Sequence, residues 1–377
     1  MAQGQARRTV LALLAGLGLG LLLGREFPAP RDAGPAGAPP AVAAPATVAA
    51  ATDSGDDPAA LRARAETQVQ VMANLHALYS FVGEWLPGLL PAAPSDDGVD
   101  YSAERVLYDQ HRLVDAALAA LRPQTRGKTD LYVVAFAGDG GENVFRNETE
   151  YVEKLFSRRF DAAGRVVVLQ NNPHTLEQRP LATWSNLELV LDGLLQHNRF
   201  DPDEDILLLF MTSHGGEDHY LYVGMDDLPL DWIGADDLAR ILNARPFRWK
   251  VSIISACYSG GFIDTLKNST SMVITAARKD RTSFGCGAES DITYFGDAFL
   301  VQGLNQTDSF RGAFEIARQL IAEWEERDKQ TPSEPQIAST PLIEAKLDDW
   351  RRGIRLGPPQ TFQVAGTAQS SEKSTKQ

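Results

Sequence analysis

Cysteine is scarce, with 2 in 377 residues, too few for a disulfide-dense scaffold or a Cys-rich zinc module, so each thiol has to be judged singly. Basic charge is also short: 36 Lys and Arg stand against 50 Asp and Glu, a formal net charge of −14. Such a balance repels a phosphate backbone unless a local basic patch overrides it, and the chain shows none, so nucleic acid is not an expected partner. Extremes of composition are missing as well. Apolar residues at 44% and charged ones at 23% exclude wholesale disorder, collagen-like repeats and a polytopic membrane protein. At about 150 residues per domain, the length suggests two folded units plus tails.

Arg7 and Arg8 precede an uncharged apolar run from Thr9 to Gly24, closed by Arg25 and Glu26. A basic flank before such a run fits a signal peptide core or a short signal anchor over residues 1–26; a comfortable span needs about twenty apolar residues. No small-x-small cleavage site follows promptly, which favours an uncleaved anchor over a cleaved signal. Residues 27–57 are mostly Ala, Pro and Gly and bury too little to offset chain entropy, so they read as a linker. Residues 58–127 carry helical spacing, for example Val69, Met72, Leu75 and Leu78, then Leu107, His111, Val114, Leu118 and Leu121.

After Lys128 the pattern turns to alternating strands and helices. Leu131 to Ala137, Val166 to Gln170, Ile206 to Thr212, Lys250 to Ser255 and Met272 to Ala276 read as buried strands. Helical stretches lie between most of them, at Glu148 to Phe160, Trp184 to His197, Gly234 to Ala244 and Ser259 to Lys267, and Ser309 to Asp328 adds an amphipathic helix. Near-continuous apolar strands separated by amphipathic helices predict an α/β domain over 128–345, a mostly parallel sheet with helices on both faces. A polar tail, 346–377, follows, expected to be mobile from Leu356. In such sheets chemistry gathers beyond the carboxyl ends of the strands.

The third strand runs into Thr212-Ser213-His214-Gly215-Gly216 and the fourth into Ser255-Ala256-Cys257-Tyr258-Ser259-Gly260-Gly261. If the two strands are neighbours, an imidazole and a thiol project from one sheet edge as general acid/base and nucleophile. A helix starting just after Cys257 would lower its pKa through the helix N-terminus. Gly215, lacking a Cβ, lets its amide approach a substrate carbonyl and form an oxyanion hole with the amide of Cys257. The chemistry implied is acyl transfer.

The quoted segments FMTSHGG and IISACYSGG resemble the legumain-like cysteine peptidases of family C13, relatives of caspases with a caspase-haemoglobinase fold. The resemblance covers roughly Asp130 to Ile337 and implies a cysteine endopeptidase with His214 and Cys257 as dyad, acting on a peptide or protein substrate without metal or organic cofactor. AGDGGENVFRNETE resembles the legumain segment bearing a pocket arginine, which implies Arg146. SFGCGAESDITYFGDAF resembles the stretch ending in a pocket aspartate, which implies Asp297. A cation and an anion together suit a neutral carboxamide, so asparagine, or aspartate, is expected before the scissile bond. This chain departs from the family in two places. The position two before the nucleophile, acidic in legumains and part of the substrate site, is Ser255; the position two before the pocket arginine, asparagine in legumains, is Val144.

Other signals are weaker. His214, Glu217, Asp218 and His219 have ligand-like spacing, but two glycines argue for a loop rather than a zinc-binding helix. Asp201, Asp203 and Asp205 open like a calcium loop that Pro202 and Ile206 interrupt. Gly138-Asp139-Gly140-Gly141 is too slight for a phosphate site and reads as the loop leading to Arg146. Cys286 is left either inert or paired with Cys257 under oxidation. The expectation is a membrane-tethered peptidase with its catalytic domain outside the cytosol, on the periplasmic side of the inner membrane if bacterial, and secreted or periplasmic if the N-terminal segment is cleaved. Two alternatives stay open: a transamidase or peptide ligase using the same acyl-enzyme, and a non-catalytic anchored scaffold. Oligomeric state is not legible.

Overall fold

A computed structural model describes residues 101–364 apart from 227, 288 and 289. The expectations for 1–26, for 27–57 and for the helical stretch before residue 101 therefore lie outside the described residues. Among the described residues no helix is long and apolar enough to cross a membrane.

Two short helices, α1 (Ala103–Tyr108) and α2 (Gln110–Ala119), lead into β1 (Leu131–Ala137), α3 (Asn143–Arg159), β2 (Val166–Gln170), α4 (Trp184–Leu194) and β3 (Ile206–Thr212). A two-stranded flap follows, β4 (Tyr220–Leu221) against β5 (Ile233–Gly234), then α5 (Ala235–Asn243), β6 (Trp249–Ser255), α6 (Phe262–Leu266) and β7 (Ser271–Thr275). A π-helical stretch (Gly296–Gly303), α7 (Phe310–Arg327), β8 (Gln336–Ala338) and α8 (Pro341–Gly353) complete the body.

Six strands form one sheet in the order β2-β1-β3-β6-β7-β8. All pairs are parallel except β7 with β8. This is the α/β architecture expected from the sequence. The strands read as unbroken apolar runs because both faces are covered, and alternate residues serve the two sides. Val133, Ile206, Leu208, Phe210, Val251 and Ile253 join Val152, Leu155 and Phe156 of α3 and Phe314 of α7 in one core. Tyr132, Val134, Leu207, Leu209 and Met211 join Val190 of α4 and Leu238 of α5 in the other. Val114 and Leu118 of α2, with Leu121, belong to that second core, so α2 packs with the sheet, whereas Val106 of α1 joins a separate small cluster with Leu176, Leu181 and Met225.

Three local features differ from the sequence reading. Helix α3 starts at Asn143, not Glu148, so Arg146 sits in its first turn and not on a loop. Glu142, at the N-cap, makes no side-chain cap bond, so no capping signal announces this start; burial of Val144 and Phe145 against Ala137 holds it instead. Beyond Cys257 no long helix begins. Tyr258 takes a left-handed φ of 55° and a three-residue 3₁₀ turn (Ser259–Gly261) precedes the five-residue α6, too little aligned backbone for a large helix-end field. The chain after Leu356 is not free either: Tyr151 Oη donates to Gln360 O at 2.7 Å, Arg159 Nη1 to Gly357 O at 2.8 Å, and Phe362 meets the Tyr151 ring edge-on.

Candidate active site

Register builds the site. Ala137, Thr212 and Ser255 are direct partners across β1, β3 and β6. His214 and Cys257 each stand two residues past that row, on adjacent strands, so imidazole and thiol emerge at the same level of the sheet edge. Asp139 stands two residues past Ala137 and completes the row.

Cys257 is half-buried beneath the segment from Arg281 to Cys286. Ser283 N–H donates to Sγ at 3.3 Å, and the Tyr258 N–H donates to Arg281 O at 2.7 Å. The Cys257 thiol is lowered to about 6: the hydrogen bond from the Cys286 side chain is the largest cause, burial opposes it, and Ser283 and the charge of His214 add to the lowering. Cys286 is raised in turn, first by holding that bond and then by burial. A short helix end is not needed to explain the acidity; a second thiol and a backbone N–H supply it. Both cysteines of the chain thus meet at one site, and both are free.

His214 is about two-fifths exposed and its Nε2 lies 3.4 Å from Asp139 Oδ2. The Phe145 ring meets the imidazole edge-on, with centroids 5.1 Å apart, and Cys286 packs on the cluster that contains Phe145. Gly215 is pressed against the nucleophile's own backbone: a Cβ there would lie 2.2 Å from Cys257 O. Among the described residues neither the Gly215 nor the Cys257 N–H has an acceptor, while Gly216 N and Tyr222 N are used in turning the chain back towards β4. Two unengaged amides beside a thiol suit a developing oxyanion.

Ser255 lies below the nucleophile, and here the structure supplies a carboxyl that the sequence reading did not find. Glu148 of α3 is fully buried; its Oε1 accepts the Thr293 N–H at 3.0 Å and the Thr293 hydroxyl, and the hydroxyls of Thr212 and Ser255 act on it from nearby. Burial raises its pKa, against the pull of those hydroxyls. The acidic group missing at Ser255 thus arrives from a helix. No spacing rule connects Glu148 to Ser255, which explains why it was illegible. Asp139 was within reach: it follows β1 by the same two residues by which His214 follows β3.

Arg146 is largely buried, its guanidinium directed at Asn172 Oδ1 (3.4 Å) and Asn147 Oδ1 (3.3 Å), with Nε 3.8 Å from Glu150. Asp297 lies in the π-helical stretch and accepts from Gln302 Nε2 at 3.2 Å. Among the described residues no hydrogen bond or ion pair joins Arg146 to Asp297. His219 packs its ring over Gly261, where a Cβ would lie 2.1 Å from the ring. Asp205 caps the turn into β3, accepting the amides of Asp130 and Asp201 at 2.8 Å each.

A parallel sheet with a thiol, an imidazole and free amides in one row defines a candidate acyl-transfer site of the cysteine-hydrolase class. Residues 199–344 match the family model described as Peptidase C13 family, a similarity over the part of the chain that carries FMTSHGG and IISACYSGG. The matched stretch contains His214 and Cys257; Asp139, Arg146 and Glu148 lie upstream of it. A solved structure described as pro-sf-caspase-1 is similar at 13% identity and a TM-score of 0.38, covering 58% of this chain and 93% of that one. No curated protein sequence matches the chain.

Proposed function

We propose that the protein is a cysteine endopeptidase working through Cys257 and His214. The observation that carries this reading is the shared register of the two residues, each two positions beyond the Thr212–Ser255 pair. The Cys257 thiolate attacks the peptide carbonyl carbon, and the oxygen takes up negative charge facing the amides of Gly215 and Cys257. As the C–N bond breaks, His214 passes a proton to the leaving amine and a thioester remains on Cys257. Water then attacks the thioester carbonyl, His214 accepts its proton, and the acid product leaves as the thiol is restored. The side chain before the scissile bond is proposed to be asparagine, read by Arg146 and Asp297 beside Ser255, and the protein is proposed to work tethered to a membrane outside the cytosol.

Cleavage of a peptide library, with Cys257→Ala as control, tests the reading. Cysteine-dependent cutting after Asn supports both dyad and pocket. Cutting after Asp, Arg or Lys keeps the dyad and discards the pocket. Absence of cutting by folded, monodisperse protein overturns the peptidase reading.

A further inference from the structure

A strand-end histidine can exchange protons with a neighbouring thiol only if one ring nitrogen is turned towards the sulfur and the other is held, because the neutral ring has two tautomers and two orientations. The row across three strands supplies a holder. Asp139 Oδ2 is 3.4 Å from His214 Nε2, and the Asp139 side chain is only 11% exposed. Its other oxygen, Oδ1, accepts the Gly141 N–H at 2.8 Å. The backbone on either side is tied to the loop after β4: Gly140 N–H donates to Gly224 O and Gly224 N–H to Gly138 O, both at 2.9 Å. The carboxylate is therefore anchored at one oxygen and along its main chain, with the second oxygen left for the imidazole.

The other surroundings of the ring do not compete. Phe145 stands nearly perpendicular to the imidazole and carries no group that could hold a ring nitrogen. Glu142 reaches the site electrostatically but makes no ion pair with His214, and among the described residues Asp139 is the one carboxylate within ion-pair distance of the ring. A nitrogen held by Asp139 leaves the opposite nitrogen, Nδ1, for Cys257.

We propose that Asp139 is the positioning residue of the site: its carboxylate accepts the Nε2–H of His214 and holds the tautomer whose Nδ1 exchanges the proton with Cys257 and the leaving amine. The proposal rests on the peptidase reading, but its structural half can be measured without any turnover. Asp139 acts through His214 and touches neither substrate nor sulfur, so removing it should affect the chemical step and leave substrate binding alone.

The test uses the full chain with ¹⁵N-labelled histidine in a Cys257→Ala background, His214 being assigned by its loss in His214→Gln. With Asp139 present, the His214 signals are expected to report protonated Nε2 and unprotonated Nδ1; Asp139→Ala is expected to populate the other tautomer, and Asp139→Asn, which keeps an oxygen without the charge, to fall between. In the active chain, Asp139→Ala is expected to lower kcat on the order of 10²-fold with KM within about twofold, a misplacement effect, and Asp139→Glu to recover part of it. An unchanged tautomer in Asp139→Ala overturns the proposal, and so does a loss of kcat that merely tracks a lowered Tm. If the wild-type chain cuts no peptide, the peptidase reading fails and the tautomer comparison alone decides the role of Asp139.

Discussion

Glu148 and Thr293, 145 positions apart, meet through two hydrogen bonds to one oxygen: the backbone N–H of Thr293 and its hydroxyl both donate to Glu148 Oε1. The contact joins α3 to the start of the π-helical stretch directly beneath Ser255. Gly296 makes room for it, since a Cβ there would lie 2.1 Å from the same oxygen. The carboxyl thereby ties α3 to the segment that enters the π-helical stretch.

Glu148→Ala leaves the Thr293 N–H and hydroxyl short of a partner in a dry place. The expected loss is about 1–3 kcal/mol of unfolding free energy for the orphaned groups, read as a lower denaturant midpoint. Because burial favours the neutral acid, Glu148→Gln is expected to be milder. Equal damage from both would show that the carboxyl's charge, and not its hydrogen bonding, matters.

The Cys257 thiol is lowered to about 6, so the thiolate is present above that pH and is lost as pH falls through it. The rate of iodoacetamide labelling at Cys257 is expected to fall about tenfold per pH unit below 6. Removing the Cys286 hydrogen bond with Cys286→Ala should move the midpoint up towards the ordinary thiol value of about 8.5. A midpoint that stays at 6 in the variant would count against the Cys286 contact.

Gly215→Ala tests the close approach of β3's exit to the nucleophile. A methyl 2.2 Å from Cys257 O forces that carbonyl, and with it the amide row, to move. Displacement of this kind is expected to lower kcat by on the order of 10²-fold, with the protein still folded by circular dichroism. A variant with wild-type kcat would exclude the oxyanion assignment of Gly215.

Arg159 is buried and spends its guanidinium on three carbonyls, those of Leu304, Asn305 and Gly357. Truncation before Gly357 removes one of them together with the Phe362 contact on Tyr151, and about 1–3 kcal/mol should be lost. A thermal melt unchanged by the truncation would show that this segment adds nothing to the fold.

Membrane fractionation tests the N-terminal expectation. The full chain should sediment with membranes and a chain beginning at residue 58 should not; equal distribution of the two would remove the anchor from the account.

The buried strands were legible because parallel strands covered on both faces must be apolar throughout, and their limits in the structure agree with the apolar runs to within one residue. His214 and Cys257 stood out for the same reason, as polar residues at the ends of such runs. Boundaries held by packing were hidden: the start of α3 at Asn143 rests on Val144 and Phe145 finding Ala137, and the tail from Gly357 rests on Arg159. Neither contact is local in sequence.

What the sequence determined by itself is the alternation of buried strands and helices, and with it the edge at which chemistry collects. Only the tertiary structure decided which strands are neighbours. Hydrogen-bonded pairing of β1 with β3 and β3 with β6 joins segments about 40 to 75 residues apart. That pairing converts three separate strand ends into one row of Asp139, His214 and Cys257, and it brings the carboxyl of Glu148 beneath Ser255. Nothing in a one-dimensional pattern specifies this order, because strand adjacency is set by how helices pack on both faces of the sheet at once.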